Sequence, residues 1–163
     1  VSDTRSFEIP DVFTVGAIGE PGRRLFLLQG GDVGDLVTIK VEKAQLIGLT
    51  SGLARAVAQL SRPGELAGTA PLSQPHIPEW VAGEIRVAVD TTDELIEVVI
   101  TEFADEDPAS VRFVLSKEQA AQFAITATRL VEQGRPPCPL CGYPLDPEQH
   151  ACPRTNGHRA PAL

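Results

Sequence analysis

Apolar positions change their period from two to about 3.6 within residues 1–60, a switch that predicts three strands followed by a helix. Phe13, Val15 and Ala17 alternate with Thr14 and Gly16, and Glu20-Pro21-Gly22 supplies turn chemistry before Leu25-Phe26-Leu27-Leu28. Gly30-Gly31-Asp32-Val33-Gly34 makes a second turn, after which Val37, Ile39 and Val41 share one face of a third strand. Leu46, Leu49, Leu53, Val57 and Leu60 then recur at three- and four-residue steps, an apolar stripe wide enough to cover a sheet. Arg62-Pro63-Gly64 ends that helix, because proline disfavours the helical conformation of its predecessor.

After a Pro- and Gly-containing connection the same order returns. Ile85, Val87 and Val89 alternate with polar neighbours, Thr91-Thr92-Asp93 turns the chain into Ile96, Val98 and Ile100, and an acidic loop, Asp105-Glu106-Asp107-Pro108, precedes Val111, Phe113 and Leu115. Ser116 with Gln119 has capping-box spacing, and Ala120, Phe123, Ala127, Leu130 and Val131 form the buried stripe of a second helix. Val37–Gln45 aligns with Val111–Gln119 at an offset of 74, and Phe13-Thr-Val-Gly16 echoes Trp80-Val-Ala-Gly83 at 67. The expected fold class is α+β: two β-β-β-α units, consistent with internal duplication, whose largely antiparallel sheet is covered by both helices. The expected division is a body over 1–134, with halves at about 7–62 and 80–134 and a linker at 63–79, then a tail at 135–163.

Charge narrows the function classes. The formal net charge of −8 argues against a protein that binds nucleic acid by neutralising phosphates, which requires a basic face. The excess is local, since residues 61–134 carry thirteen Asp and Glu against five Arg and Lys. No apolar run approaches the roughly 20 residues of a membrane span, and Val1–Ser6 lacks a signal-peptide core, so a cytoplasmic location is expected.

Candidate chemistry lies in the tail. Cys138-Pro139-Leu140-Cys141-Gly142 is followed by His150-Ala151-Cys152, the spacing of a small zinc knuckle. Cys138, Cys141 and Cys152 supply three thiolates, and His150 is the expected fourth ligand because residues i and i+2 of an extended segment face one side. His158, six residues beyond Cys152, is the alternative fourth ligand. A shell filled by four protein ligands leaves no position for water, so the zinc is expected to be structural. The tail has few large apolar groups beyond Leu140, Tyr143 and Leu145, and metal ligation replaces the core it lacks.

Elsewhere the chemistry is weaker. The Gly30–Gly34 stretch lacks the Lys-Ser/Thr of a phosphate-binding loop and is read as a hairpin turn. Asp105–Asp107 lacks the ligand ladder of a calcium-binding loop and is read as a solvated acidic loop. Arg23-Arg24 is read as a solvated pair, His76 has no nucleophile in sequence reach, and Trp80 is read as a core or sheet-edge anchor.

Phe13-x-Val-Gly-x-x-Gly-Glu-Pro-Gly-Arg-Arg24, the Val-Glu-Lys-x-Gln45 strand end and Arg135-Pro-Pro-Cys-Pro-x-Cys-Gly-x-Pro-Leu-Asp-Pro-x-x-His-x-Cys-Pro-Arg-x-Asn-Gly157 together resemble an uncharacterised actinobacterial family of unknown function. The resemblance covers nearly the whole chain. It implies an acidic central loop, genes for phosphomutase-like and lipid-kinase-like proteins close by, and His150 in preference to His158 as the fourth ligand. It implies no activity.

No nucleophile motif and no open metal shell is recognisable, so the expected function is a non-enzymatic protein-binding adaptor with a structural zinc site. Its partner is a protein, for which the kinase-like and phosphomutase-like neighbours are candidates. Two alternatives differ in class. One is a small-molecule binder or enzyme with its site between the two halves. The other is weak nucleic-acid binding through the knuckle, where Arg135, Arg154 and Arg159 give the tail a slight positive balance.

Overall fold

The structure is a computed structural model that describes residues 4–20, 22–68 and 70–133. Among the described residues nine elements follow one another: β1 (Thr4–Glu8), β2 (Val12–Ile18), β3 (Leu25–Asp32), β4 (Asp35–Val41), α1 (Lys43–Ala58), β5 (Trp80–Asp90), β6 (Leu95–Glu102), β7 (Ser110–Ser116) and α2 (Lys117–Gln133). The β-β-β-α order expected from the periodicity occurs over β2–α1 and again over β5–α2, and β1 precedes both. The α+β class stands. All seven strands form one sheet in the order β1-β7-β6-β5-β4-β3-β2. Neighbours within each β-β-β set pair antiparallel, whereas β4 with β5 and β1 with β7 pair parallel.

The covalent chain forces this sheet to curl. β1 and β2 stand at opposite ends of the strand order, yet only Ile9-Pro10-Asp11 joins them, a reach of about 14 Å at most. Ile9 takes the turn with φ 46°, a left-handed conformation rare for a β-branched residue, and its N–H donates to the Val114 carbonyl at 2.8 Å. The meeting of the sheet's ends is aromatic. Phe113 of β7 stacks on Phe7 of β1 at 5.7 Å between ring centroids and meets Phe13 of β2 edge-on at 5.1 Å. Gly30 of β3 leaves room for the same ring, since a Cβ there would come within 2.5 Å of it.

Each helix is tied to the first strand of the other set. α1 packs on β5, α2 packs on β2, and the helices pack on one another. One glutamine per helix makes both the cap and the tie. Gln45 Oε1 accepts from the Glu42 N–H at 2.8 Å, while its Nε2 donates to the Ala82 and Gly83 carbonyls of β5. At the aligned position Gln119 Oε1 accepts from the Ser116 N–H at 3.1 Å, and its Nε2 donates to the Pro10 carbonyl just ahead of β2. The capping box read at Ser116 and Gln119 is therefore formed, completed by the Gln119 N–H donating to Ser116 Oγ.

The outward face of β2–β4 is covered by residues 70–79, which belong to no helix or strand. Thr14 Oγ1 donates to the Ala70 carbonyl, Gln29 and Ser73 exchange two hydrogen bonds at 2.8 and 2.7 Å, and Leu72 lies over Gly16. Leu27, paired with Gly16 across the ladder, is thereby fully buried although Phe26 and Leu28 face the core. The outward face of β5–β7 carries Glu97 and Arg112, joined at 2.6 Å.

Candidate functional site

The metal ligands expected from the sequence, Cys138, Cys141, His150 and Cys152 with His158 as alternative, lie outside the described residues. Among the described residues no group of three or more His, Cys, Asp or Glu is placed to hold a metal ion.

Residues read individually from the sequence find local roles. Val33-Gly34 is the turn between β3 and β4, with Gly31 and Gly34 at φ 134° and 86°, which only glycine adopts without strain. Arg24 is engaged in more than solvation: it donates to the Leu130 carbonyl in the last turns of α2 and lies over the Phe26 ring at 5.5 Å. His76 lies in the covering segment with its Nε2 at 3.4 Å from the Leu72 carbonyl oxygen. Trp80 opens β5 and packs, half-buried, against the core.

One carboxylate is strongly perturbed, and its partners explain why. Glu94, in the β5–β6 turn at φ 55°, accepts from the Ser61 hydroxyl and N–H and from Lys117 Nζ at 2.9 Å. These bonds, the Ser61 hydroxyl foremost, lower its pKa from 4.5 to about 2. The cluster joins the end of α1, the turn and the start of α2, so its role is structural. A lowered folded-state pKa means that its stabilisation is complete above about pH 4.5 and is lost as pH falls towards 2. Glu94→Gln is expected to flatten the decline in unfolding midpoint over that window, measured by urea titration at a series of pH values.

Among the concave surfaces of the described residues, two lie at the ends of the first strands of the two sets. The first, about 320 Å³, lies between β2 and α2 and is bordered by residues 65–70. Phe13 and Phe123 form its apolar part, and Asp11, Glu65 and Glu118 are its carboxylates, with no arginine, lysine or histidine among the described lining residues. Its hydroxyls are committed to the fold: Thr14 bonds Ala70, Thr126 bonds the Gln122 carbonyl and Ser116 caps α2.

The second, about 730 Å³, lies where β5 begins and β6 ends. The Phe103 N–H donates to the Val81 carbonyl and prolongs the β5–β6 ladder by one bond, while Gly83 lets the Phe103 backbone approach within 3.1 Å of where a Cβ would stand. Glu102 fastens the following loop at both its backbone and its side chain, accepting from the Ala109 N–H through Oε2 and donating its own N–H to the Ala109 carbonyl. This loop is long, Phe103–Ala109, where β3 and β4 are joined by Val33-Gly34 alone. Phe103 is left 79% exposed and Val81 37%, and Ala82, Ala104 and Pro108 also line the groove. Glu42, Glu84 and Glu102 line the groove, with no basic residue among the described lining residues. Lys40 and Arg86 stand 3.8 Å from Glu42 and Glu84 in solvent-exposed pairs that neutralise little. Asp105, Glu106 and Asp107 extend the negative charge along the loop.

Alternation held the signal for this groove. Ile96, Val98 and Ile100 face inward, so Phe103 stands on the opposite parity at the strand's end, and Val81 stands between inward Trp80 and Ala82.

A curled mixed sheet covered by two exchanged helices, with an acidic groove where β5 begins and β6 ends, defines an α+β body. The chain belongs to a family of proteins of unknown function, DUF3090, whose model matches residues 5–152. No curated protein and no solved structure matches it.

Proposed function

We propose that this chain is a non-enzymatic protein-binding adaptor whose α+β body, residues 1–134, presents the β5–β6 groove to a protein partner. The exposure of Phe103 beside Val81 carries this reading. A large aromatic on a fastened loop costs solvation unless something covers it, and an apolar patch rimmed by charge is a common mark of a contact site. The junction between β2 and α2 supports the small-molecule alternative less, because its hydroxyls are spent on the fold.

The tail, residues 135–163, is the second part of the proposal: a module held by a structural zinc on Cys138, Cys141, Cys152 and His150. The donor set is its support, since three thiolates and an imidazole suit tetrahedral zinc. The matching ties of Gln45 and Gln119, each to the other set's first strand, support an origin by internal duplication. Products of the neighbouring kinase-like and phosphomutase-like genes are the first partners to test, in a cytoplasmic setting.

The test is capture from native lysate by the full-length protein against Phe103→Ser, with His76→Ala as control. A stoichiometric partner retained by wild type and the control, and lost by Phe103→Ser, is the expected result. A partner retained equally by all three refutes the groove's role.

A further inference from the structure

We propose that the β5–β6 groove takes an extended, basic segment of a partner protein that carries one large apolar side chain, an inference that rests on the protein-binding function above. Charge is the first ground. Glu42, Glu84 and Glu102 line the groove without a basic neighbour among its lining residues, and Asp105–Asp107 continue the field along its loop. A neutral or acidic segment would bring no charge to balance carboxylates whose ion pairs with Lys40 and Arg86 are exposed and 3.8 Å long.

Exposed apolar side chains supply the second ground and set the anchor. Val81 and Phe103 offer adjoining exposed apolar surface, which excludes a purely charged ligand such as a free polyamine as the best fit. The third ground is an internal precedent for the occupant's form. Thr14 and Gly16 of β2 align with Val81 and Gly83 of β5. In the first set that outward position is covered by the chain's own segment, in no helix or strand, with Ala70 on Thr14 and Leu72 seated over Gly16. At the aligned positions of the second set the chain's own Phe103 backbone lies against Gly83 while Val81 remains exposed, so the surface beside Val81 is left for a segment from elsewhere, with a basic composition in place of the neutral Ala70-Pro71-Leu72-Ser73.

The test uses full-length protein and short fluorescent peptides in anisotropy titrations. One peptide combines Lys and Arg with a single Leu and a Pro, a second replaces its basic residues with Glu, and a third replaces Leu with Ser. The first is expected to bind, to weaken as salt is raised, and to weaken roughly tenfold in Phe103→Ala and about threefold in the double variant Glu84→Gln/Glu106→Gln. Both substitutions fall on exposed side chains, and an unchanged thermal midpoint confirms folding. Equal or tighter binding of the Glu peptide, or basic-peptide binding indifferent to Phe103, overturns the proposal. So does a concentration-dependent dimer abolished by Phe103→Ala, which would assign the groove to a second copy of the chain. Lysate capture keeps the two levels apart. Phe103-dependent capture with no basic-peptide binding removes the partner chemistry and leaves the docking function, whereas Phe103-independent capture removes both.

Discussion

Replacing Phe113 by alanine is expected to cost about 3–5 kcal/mol, a large part of the stability of a domain of this size. The ring is fully buried and touches both ends of the strand order, Phe7 on β1 and Phe13 on β2, with Gly30 of β3 facing it. Phe13 in turn leans on Phe123 of α2 at 4.6 Å, so the space left by the ring is walled by elements that other contacts hold apart. A cavity that cannot collapse carries the upper part of the usual cost. The converse change, Gly30→Ala, adds a methyl within 2.5 Å of the same ring and is expected to cost about 1–3 kcal/mol by overpacking. The two sites share a contact, so Gly30→Ala combined with Phe113→Leu should be less damaging than the sum of its parts. Urea unfolding with an unchanged slope measures all of these. A loss below about 1 kcal/mol for Phe113→Ala would mean that this ring does not join the sheet's ends.

On the proposal that the tail holds a structural zinc, removing the metal is expected to have the largest effect on the tail and little on the body. Ligation contributes on the order of 10 kcal/mol or more in small zinc peptides, far beyond what Leu140, Tyr143 and Leu145 offer by burial. Purified protein should carry one zinc per chain. Cys138→Ser and His150→Ala should lose it, His158→Ala should keep it, and chelation should release it while the body's cooperative unfolding transition persists. Retention by His150→Ala with loss in His158→Ala transfers the fourth position to His158. Disappearance of the body's transition upon chelation contradicts the independence of the two parts.

How much of this was legible depended on what each element asks of its own residues. The strands and helices of β2–α1 and β5–α2 each turn one side to the core, so the period of apolar residues marked them and their order. β1 escaped, because Phe7 is the only large apolar residue in Thr4–Glu8 and its pairing with β7 is a long-range contact. The parallel β4–β5 link escaped as well, since it rests on two register pairs alone. The segment after α1 read as a linker from its Pro and Gly. Its covering role was foreshadowed in β3, where Leu25-Phe26-Leu27-Leu28 is apolar on both parities, as a strand buried on both faces must be. The helix exchange had no local signal, since a capping glutamine reads the same wherever its Nε2 ends. The groove was written in parity, at Val81 and Phe103, and became a site only when the Phe103–Ala109 loop set the two beside the carboxylates.

Amide hydrogen exchange on the captured complex tests the groove's role most directly, by comparing the protein alone with the protein bound to its partner. Slowed exchange confined to residues 81–84 and 102–108 is the predicted result. Slowed exchange at 12–14 and 118–126, with the β5–β6 groove unchanged, would contradict it and move the site to the junction between β2 and α2.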